Sequence, residues 1–557
     1  MKFKKSFIAL NILCLSQFTF AANELQVTPF SGLAVGTLQT TTPNTLPILT
    51  FTNDDGKSWI YPSYVFKNLP VTLSSGIFLS SASTGSANDN ISIAAGQACT
   101  GGFCVRPFPL VAVGTQNGAT WNYPSSVYEN LTTRITANFG GGLLQGASCF
   151  GSGANANCIA PGFYFDDDSG AVHPLLAQSS NGGSDWNYPT SIFTDLNISV
   201  DPNITTAFLA HASCTKDTDD SVCIAAGSFC TSIICSQPLI ALSPDKGLTW
   251  TFPHSIFQNL QTSIDPNFLS AFFNGASCSG KGNKAICIAA GNMFNGENLP
   301  LIALTRNGGS DWVYPKAIFT DLKHKINPAF ISGYFQSASC IGEANKTTCV
   351  AAGAYTEDVE LPLVVITRDG GNTWIYPDDI LKQIKSTIPN FVRGNFSSVS
   401  CTGTSKKGIC VASGRFCTDE DCDVSYPLIA ASNDGGKSWI FPTSIFKNLK
   451  LAIDPKFAHG LLSSVSCSGD EDHSYCQASG EYVTTDDKHL PLVAISTTNS
   501  GRQWSYPKAV HNDLTTTIDP AFDFATFVST ATAGELKSTP TYVEIVDHEY
   551  RYLTAAK

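Results

Sequence analysis

At 557 residues the chain exceeds one ordinary core, so either several domains or one architecture grown by internal repetition must account for its length. Apolar residues make up 43% and charged residues 14%, which excludes a disordered chain. The net charge of −12, with no basic patch, excludes a nucleic-acid binder and leaves neutral or cationic partners.

The N-terminus, MKFKKSFIALNILCLSQFTFAA, sets Lys2, Lys4 and Lys5 before an apolar stretch and carries Thr19 and Ala21 at its end. This predicts a Sec-type signal peptide over residues 1–21 and export to the periplasm or beyond. Cys14 follows Leu13, too bulky for a lipobox, and lies inside the apolar stretch, so a lipid anchor is not expected. No later run is long and apolar enough for a membrane span. Residues 22–45 read as an N-terminal extension that either adds an outer strand or covers a central channel.

From residue 46 to 557 the chain repeats. Trp59, Trp121, Trp186, Trp250, Trp312, Trp374, Trp439 and Trp504 fall 62 to 65 residues apart, each followed by an aromatic and then a proline. The preceding segments, among them TNDDGKSW, SPDKGLTW, TRDGGNTW and SNDGGKSW, resemble the Asp-box, or bacterial neuraminidase repeat, of sialidase-like β-propellers. Asp54, Asp245, Asp369 and Asp434 keep the aspartate; Asn181, Asn307 and Asn499 replace it in three copies and Gln116 in one. Asp or Asn at a turn accepts backbone N–H bonds, glycine supplies positive φ, and tryptophan buries a large ring. The boxes therefore read as structural fasteners rather than calcium ligands or catalytic carboxylates.

An apolar run such as LPLVVIT precedes each box and Trp-x-aromatic-Pro follows it, giving strands C and D; segments such as GYFQSASC and CVAAG give strands A and B. Small residues in strand A suit blades converging on an axis. Four strands per unit predict an all-β fold, a single eight-bladed β-propeller of four-stranded antiparallel blades; an open solenoid is the competing arrangement. Eight C/D hairpins start at Trp59 and eight A/B hairpins end with TFVSTATA and TYVEIV, so closure is expected from the C-terminal A/B hairpin pairing with the first C/D hairpin. Between strands D and A, segments such as FPTSIFKNLKLAIDPKF predict a short helix opened by proline.

Without Cys14, eighteen cysteines remain. Six pairs share the spacing C-x8-C, predicting A-to-B staples: Cys149 with Cys158, Cys214 with Cys223, Cys278 with Cys287, Cys340 with Cys349, Cys401 with Cys410, and Cys467 with Cys476. Thr84 and Ser92 stand in their place in the first unit. Cys99 with Cys104, Cys230 with Cys235, and Cys417 with Cys422 close small B/C loops. Zinc is disfavoured by the lack of CxxC pairs and nearby histidines, and no cofactor or metal is expected.

The B/C loops and D-to-A connections share one face, opposite the boxes, and variable loops on a rigid scaffold are the usual place for binding. Candidate binding residues are Asp166, Asp167 and Asp168; Glu357, Asp358 and Glu360; Asp419, Glu420, Asp421 and Asp423; and Asp486 and Asp487. Each cluster also reads as a solvated polar loop, and DDDSG at 166–170 is too short for a calcium loop. His173 and His489 occupy equivalent loop positions.

The sialidase resemblance implies an arginine triad, a tyrosine paired with glutamate and an aspartate acid/base. Of eight arginines, Arg306, Arg368 and Arg502 lie in or beside boxes, Arg551 is at the tail, and Arg106 in CVRPFP does not reproduce the family's Arg-Ile-Pro. Arg134, Arg393 and Arg415 remain, without a signature. The expectation is thus an exported, monomeric, non-catalytic protein binding a glycan or protein through its loop-rich face; the alternative is a glycoside hydrolase.

Overall fold

The apolar runs and small-residue segments pair as antiparallel sheets in a computed structural model. It describes residues 29–40, 45–62, 64–65, 73–86, 89–100, 106–116, 118–194, 196–216, 219–231, 234–377, 380–470, 472–497, 501–510, 514, 522–534, 541–546 and 549–554. The signal-peptide segment lies outside them. The fold is mostly β, and no helix among the described residues is long and apolar enough to cross a membrane.

Each unit runs A–B–C in hydrogen-bonded order, as in Ser332–Ile341, Thr348–Thr356 and Glu360–Thr367. The D position after each box is short: a three-residue strand at Thr120–Asn122 and single bridges elsewhere, such as Leu304 with Val313. Strand B reads as a near-continuous buried run of small apolar residues because neighbouring units cover both its faces. Several proline-led connections form two separate turns, broken where Asn259, Asp321 and Asn448 adopt left-handed φ of 56°, 54° and 58°, whereas the one after Trp374 forms a single helix, Ile380–Thr387. Asn and Asp tolerate that conformation. Ile256, Ile318 and Ile445 from the first turn are buried.

Serine carries the contact between units. Strand A of one unit packs beside strand A of the next, and a backbone N–H of the second donates to a serine Oγ of the first. The bonds run Cys214 to Ser148 (3.2 Å), Cys278 to Ser213 (2.9 Å), Cys340 to Ser277 (2.8 Å), Cys401 to Ser339 (2.9 Å) and Cys467 to Ser400 (3.0 Å). These serines are thus acceptors for inner-edge N–H groups as well as small residues. On the outer side, the tyrosine that follows six of the box tryptophans donates to the preceding unit, as Tyr188 to Val127 O (2.6 Å) and Tyr506 to Ile445 O (2.6 Å), while Phe252 and Phe441 take its place in two.

The terminal pairing differs from expectation. Phe522–Ala533 pairs with Ser31–Thr40, which pairs in turn with Thr45–Thr52, whereas Thr541–Val546 pairs with Glu549–Thr554. The latter hairpin falls outside the compact unit of residues 28–536. Ser31–Thr40 is therefore an interior strand, in the B position, rather than an outer strand or a cover. The reason is glycine. Strand A carries a bulge in every unit, and strand B faces it with a residue whose Cβ would lie 2.1 Å from Phe208 O at Gly227, 2.1 Å from Tyr334 O at Gly353 and 1.9 Å from Thr526 O at Gly36. Gly32–Gly36, GLAVG, supplies that glycine in the same register as CIAAG; TYVEIV has none.

All six C-x8-C disulfides form across A and B with Cα separations of 4.0–4.2 Å, and Cys417 bonds Cys422. Cys99 is disulfide-bonded, but Cys104 and the side chain of Cys235 lie outside the described residues. In the first unit the register opposes Ser92 with Ser83, not Thr84, and their hydroxyls bond at 2.8 Å where six other units have a disulfide.

Candidate functional site

The box turns are internally satisfied. Asp434 Oδ1 accepts from Ser438 N (2.9 Å) and Ser432 Oγ (2.8 Å), and Oδ2 accepts from Ser438 Oγ (2.6 Å). Partial burial pushes its carboxyl up, but these bonds outweigh it and hold the group below the usual range. Asp54, Asp245 and Asp369 share this arrangement. Where Asn181 and Asn307 replace aspartate, a carboxylate moves four residues on: Asp185 N donates to Asn181 Oδ1 (3.0 Å) and Asn181 Nδ2 donates to Asp185 (3.2 Å), with Asn307 and Asp311 alike. The indoles of Trp59, Trp186, Trp250, Trp312, Trp439 and Trp504 donate to the box glycine carbonyl. Trp121 and Trp374 are buried without that bond. Arg306 and Arg368 reach the next unit's box carbonyls at Gly370 and Asp434.

Most acidic B/C residues are likewise absorbed by their own loops. Asp166 accepts from Ser169 N (2.8 Å), Ser169 Oγ (2.8 Å) and Asp168 N (3.1 Å), and the Ser169 bonds lower its carboxyl. Asp167 pairs with Arg106 at 2.9 Å and Asp486 with Lys456 at 2.9 Å. Asp423 N donates to Asp419, while Asp358 and Asp421 are exposed. Asp487 turns its loop with φ 62°. Glu357 stands beside Tyr355, whose phenol burial and the Glu357 charge push up to about 12. His489 faces Glu481 at 3.7 Å and the ring of Phe524 at 5.0 Å; His173 stacks on Tyr164.

Glu360 is different. It opens strand C and is half-buried, its Oε1 accepting from the Tyr334 hydroxyl (2.8 Å) and its Oε2 from Asn395 Nδ2 (3.0 Å). Tyr334 and Asn395 hold the same strand A position in adjacent units, and Arg415 opposes Asn395 in register. Burial first, then the Glu360 charge, keeps the Tyr334 phenol protonated, while the Arg415 charge pulls the other way. Asn395 Oδ1 is buried without a hydrogen-bond partner. Carboxylate, phenol and amide thus meet on rigid strands at the B/C end, with the Arg415 guanidinium near enough for its charge to act on the phenol. Arg134 and Arg393 lie elsewhere: Arg134 bonds Ser126 and Trp186 carbonyls, and Arg393 donates to Glu420 O (3.0 Å). Tyr334 and Asn395 escaped the sequence reading. Their signal is that the aligned position is apolar in five other units, as Ile77, Leu143, Phe208, Phe272 and Leu461.

No protein-family model matches the chain, and no curated protein matches it. Among solved structures it is similar to a polysaccharide lyase, the ulvan lyase of family PL25, at 12% identity over 77% of this chain and 92% of that one, TM-score 0.35. The Hadza microbial sialidase Hz136 follows at 11% identity over 76% and 92%, TM-score 0.33. Trypanosoma rangeli sialidase aligns at 14% over 61% of this chain and 55% of its own, TM-score 0.31. The structural neighbours are thus sialidase-like and polysaccharide-lyase propeller folds at low identity, and likeness of this degree carries no argument about activity.

Proposed function

We propose that this chain is an exported, non-catalytic β-propeller that binds a glycan or protein ligand through its B/C face, with Tyr334, Glu360, Asn395 and Arg415 at the centre of the site. The observation that carries this is the convergence of the Tyr334, Glu360 and Asn395 side chains from strands of two units, with Arg415 opposite Asn395 in register and the Asn395 carbonyl oxygen buried and unpaired. Fixed donors and acceptors beside an aromatic ring suit sugar hydroxyls, which favours a glycan. Export rests on the N-terminal segment and the disulfides. Closure into eight blades is supported by the pairing of Ser31–Thr40 with Phe522–Ala533, and by the Ser81 N–H donating to Ser529 Oγ at 3.1 Å across the first and last strand A.

The Tyr334–Glu360 hydrogen bond favours one second reading, a glycoside hydrolase with that pair as its reacting groups. A glycan array together with turnover assays on sialosides and plant and bacterial polysaccharides separates the two. Retention without turnover supports binding; turnover abolished by Glu360→Gln overturns it in favour of the enzyme.

A further inference from the structure

The D-to-A connection of each unit lies against strand D of the next, and the chain fills this groove differently from copy to copy. In the groove below Trp186, Arg134 inserts its guanidinium, donating to the Ser126 and Trp186 carbonyls and lying over the Tyr188 ring, 5.7 Å from its centroid. In the groove below Trp374, Lys325 takes the same sequence position. Its Nζ donates to Ala317 O (3.0 Å), the counterpart of Ser126 O, and to Thr320 O (2.8 Å). Two units therefore place their own cation on one carbonyl site.

In the groove below Trp504 the aligned residue is Ala452, and the space is a cavity of about 510 Å3 lined by Ser444, Ala452, Trp504 and Tyr506. The frame matches that around Arg134. Trp504 N–H donates to Ser444 Oγ (3.2 Å) as Trp186 N–H does to Ser126 Oγ (2.9 Å), and Tyr506 donates to Ile445 O as Tyr188 does to Val127 O. We propose that this groove binds a guanidinium or primary ammonium on an alkyl stem, brought from outside the chain, on the Ser444 and Trp504 carbonyls and the Tyr506 ring. Carbonyl oxygens and an aromatic face are what such a cation needs once it leaves water, and the net charge of −12 favours its approach. Exposed Lys447 lines the mouth and opposes it, so Lys447→Gln tightens binding.

The test uses the full protein with 15N-labelled tryptophan, following the Trp504 indole resonance, assigned by Trp504→Phe. N-acetyl-arginine-N-methylamide, its lysine counterpart and spermidine are titrated, with the norleucine amide as uncharged control. The expected result is a saturable shift of that resonance with the charged probes only, lost in Ala452→Arg and Ala452→Lys, which supply the plug in cis and raise the thermal midpoint. Tighter binding of the amino-acid amides identifies a side chain presented by a partner protein; tighter binding of spermidine identifies a small polyamine. No shift up to about 20 mM probe, an equal shift with norleucine amide, or an unchanged shift in both Ala452 variants overturns the proposal.

Discussion

Gly36→Ala tests how the two ends of the chain meet. A Cβ there would sit 1.9 Å from Thr526 O and 2.9 Å from Phe527 Cα, whereas ordinary contact begins near 3.4 Å. Both obstacles are backbone, so Ser31–Thr40 and Phe522–Ala533 must separate by more than an ångström. Overpacking costs about 1–3 kcal/mol and each displaced ladder bond about 1 kcal/mol net, giving roughly 3 kcal/mol of local destabilisation. Amide hydrogen exchange in both strands should then accelerate roughly a hundredfold. Gly227→Ala, whose Cβ would meet Phe208 O at 2.1 Å, serves as control by accelerating Ile204–Cys214 and Cys223–Thr231 instead. The reasoning is refuted if Gly36→Ala leaves both terminal strands at wild-type exchange while Gly227→Ala accelerates its own pair.

Replacing Ser83 and Ser92 together by cysteine should create a further A-to-B disulfide, seen as loss of two hydrogens by mass spectrometry of the non-reduced peptide, and stabilise by up to about 3 kcal/mol. In the box below Trp439, Asp434→Asn should cost about 1 kcal/mol in denaturant unfolding. Adding Ser438→Asp should recover most of it, because Asn181 with Asp185 already works that way.

The repeat was legible because each element has a local signature: tryptophan spacing for the box, C-x8-C for the A/B staple, and Pro-Leu-x-x for strand C. The B strand at residues 31–40 escaped the sequence reading although GLAVG repeats CIAAG, because its partner lies about 500 residues away and no local turn signals that pairing. The strand A serines were read as small when their hydroxyls bind the next unit. Glu360 and Arg415 each stood out alone. Their relation depends on Tyr334 and Asn395, and on a register between units that spacing does not reveal. The aspartates at 166–168 and 419–423 stood out by charge, yet that charge is spent largely within their loops, on backbone N–H groups and a nearby arginine.

The most direct test of the proposed site is to measure binding of the best glycan-array ligand to wild type, Arg415→Ala and Asn395→Leu, with Asp434→Asn on the box face as control. Loss of at least tenfold in affinity in the first two variants, with the control unchanged, is the expected result. Equal affinity in all four proteins would contradict it.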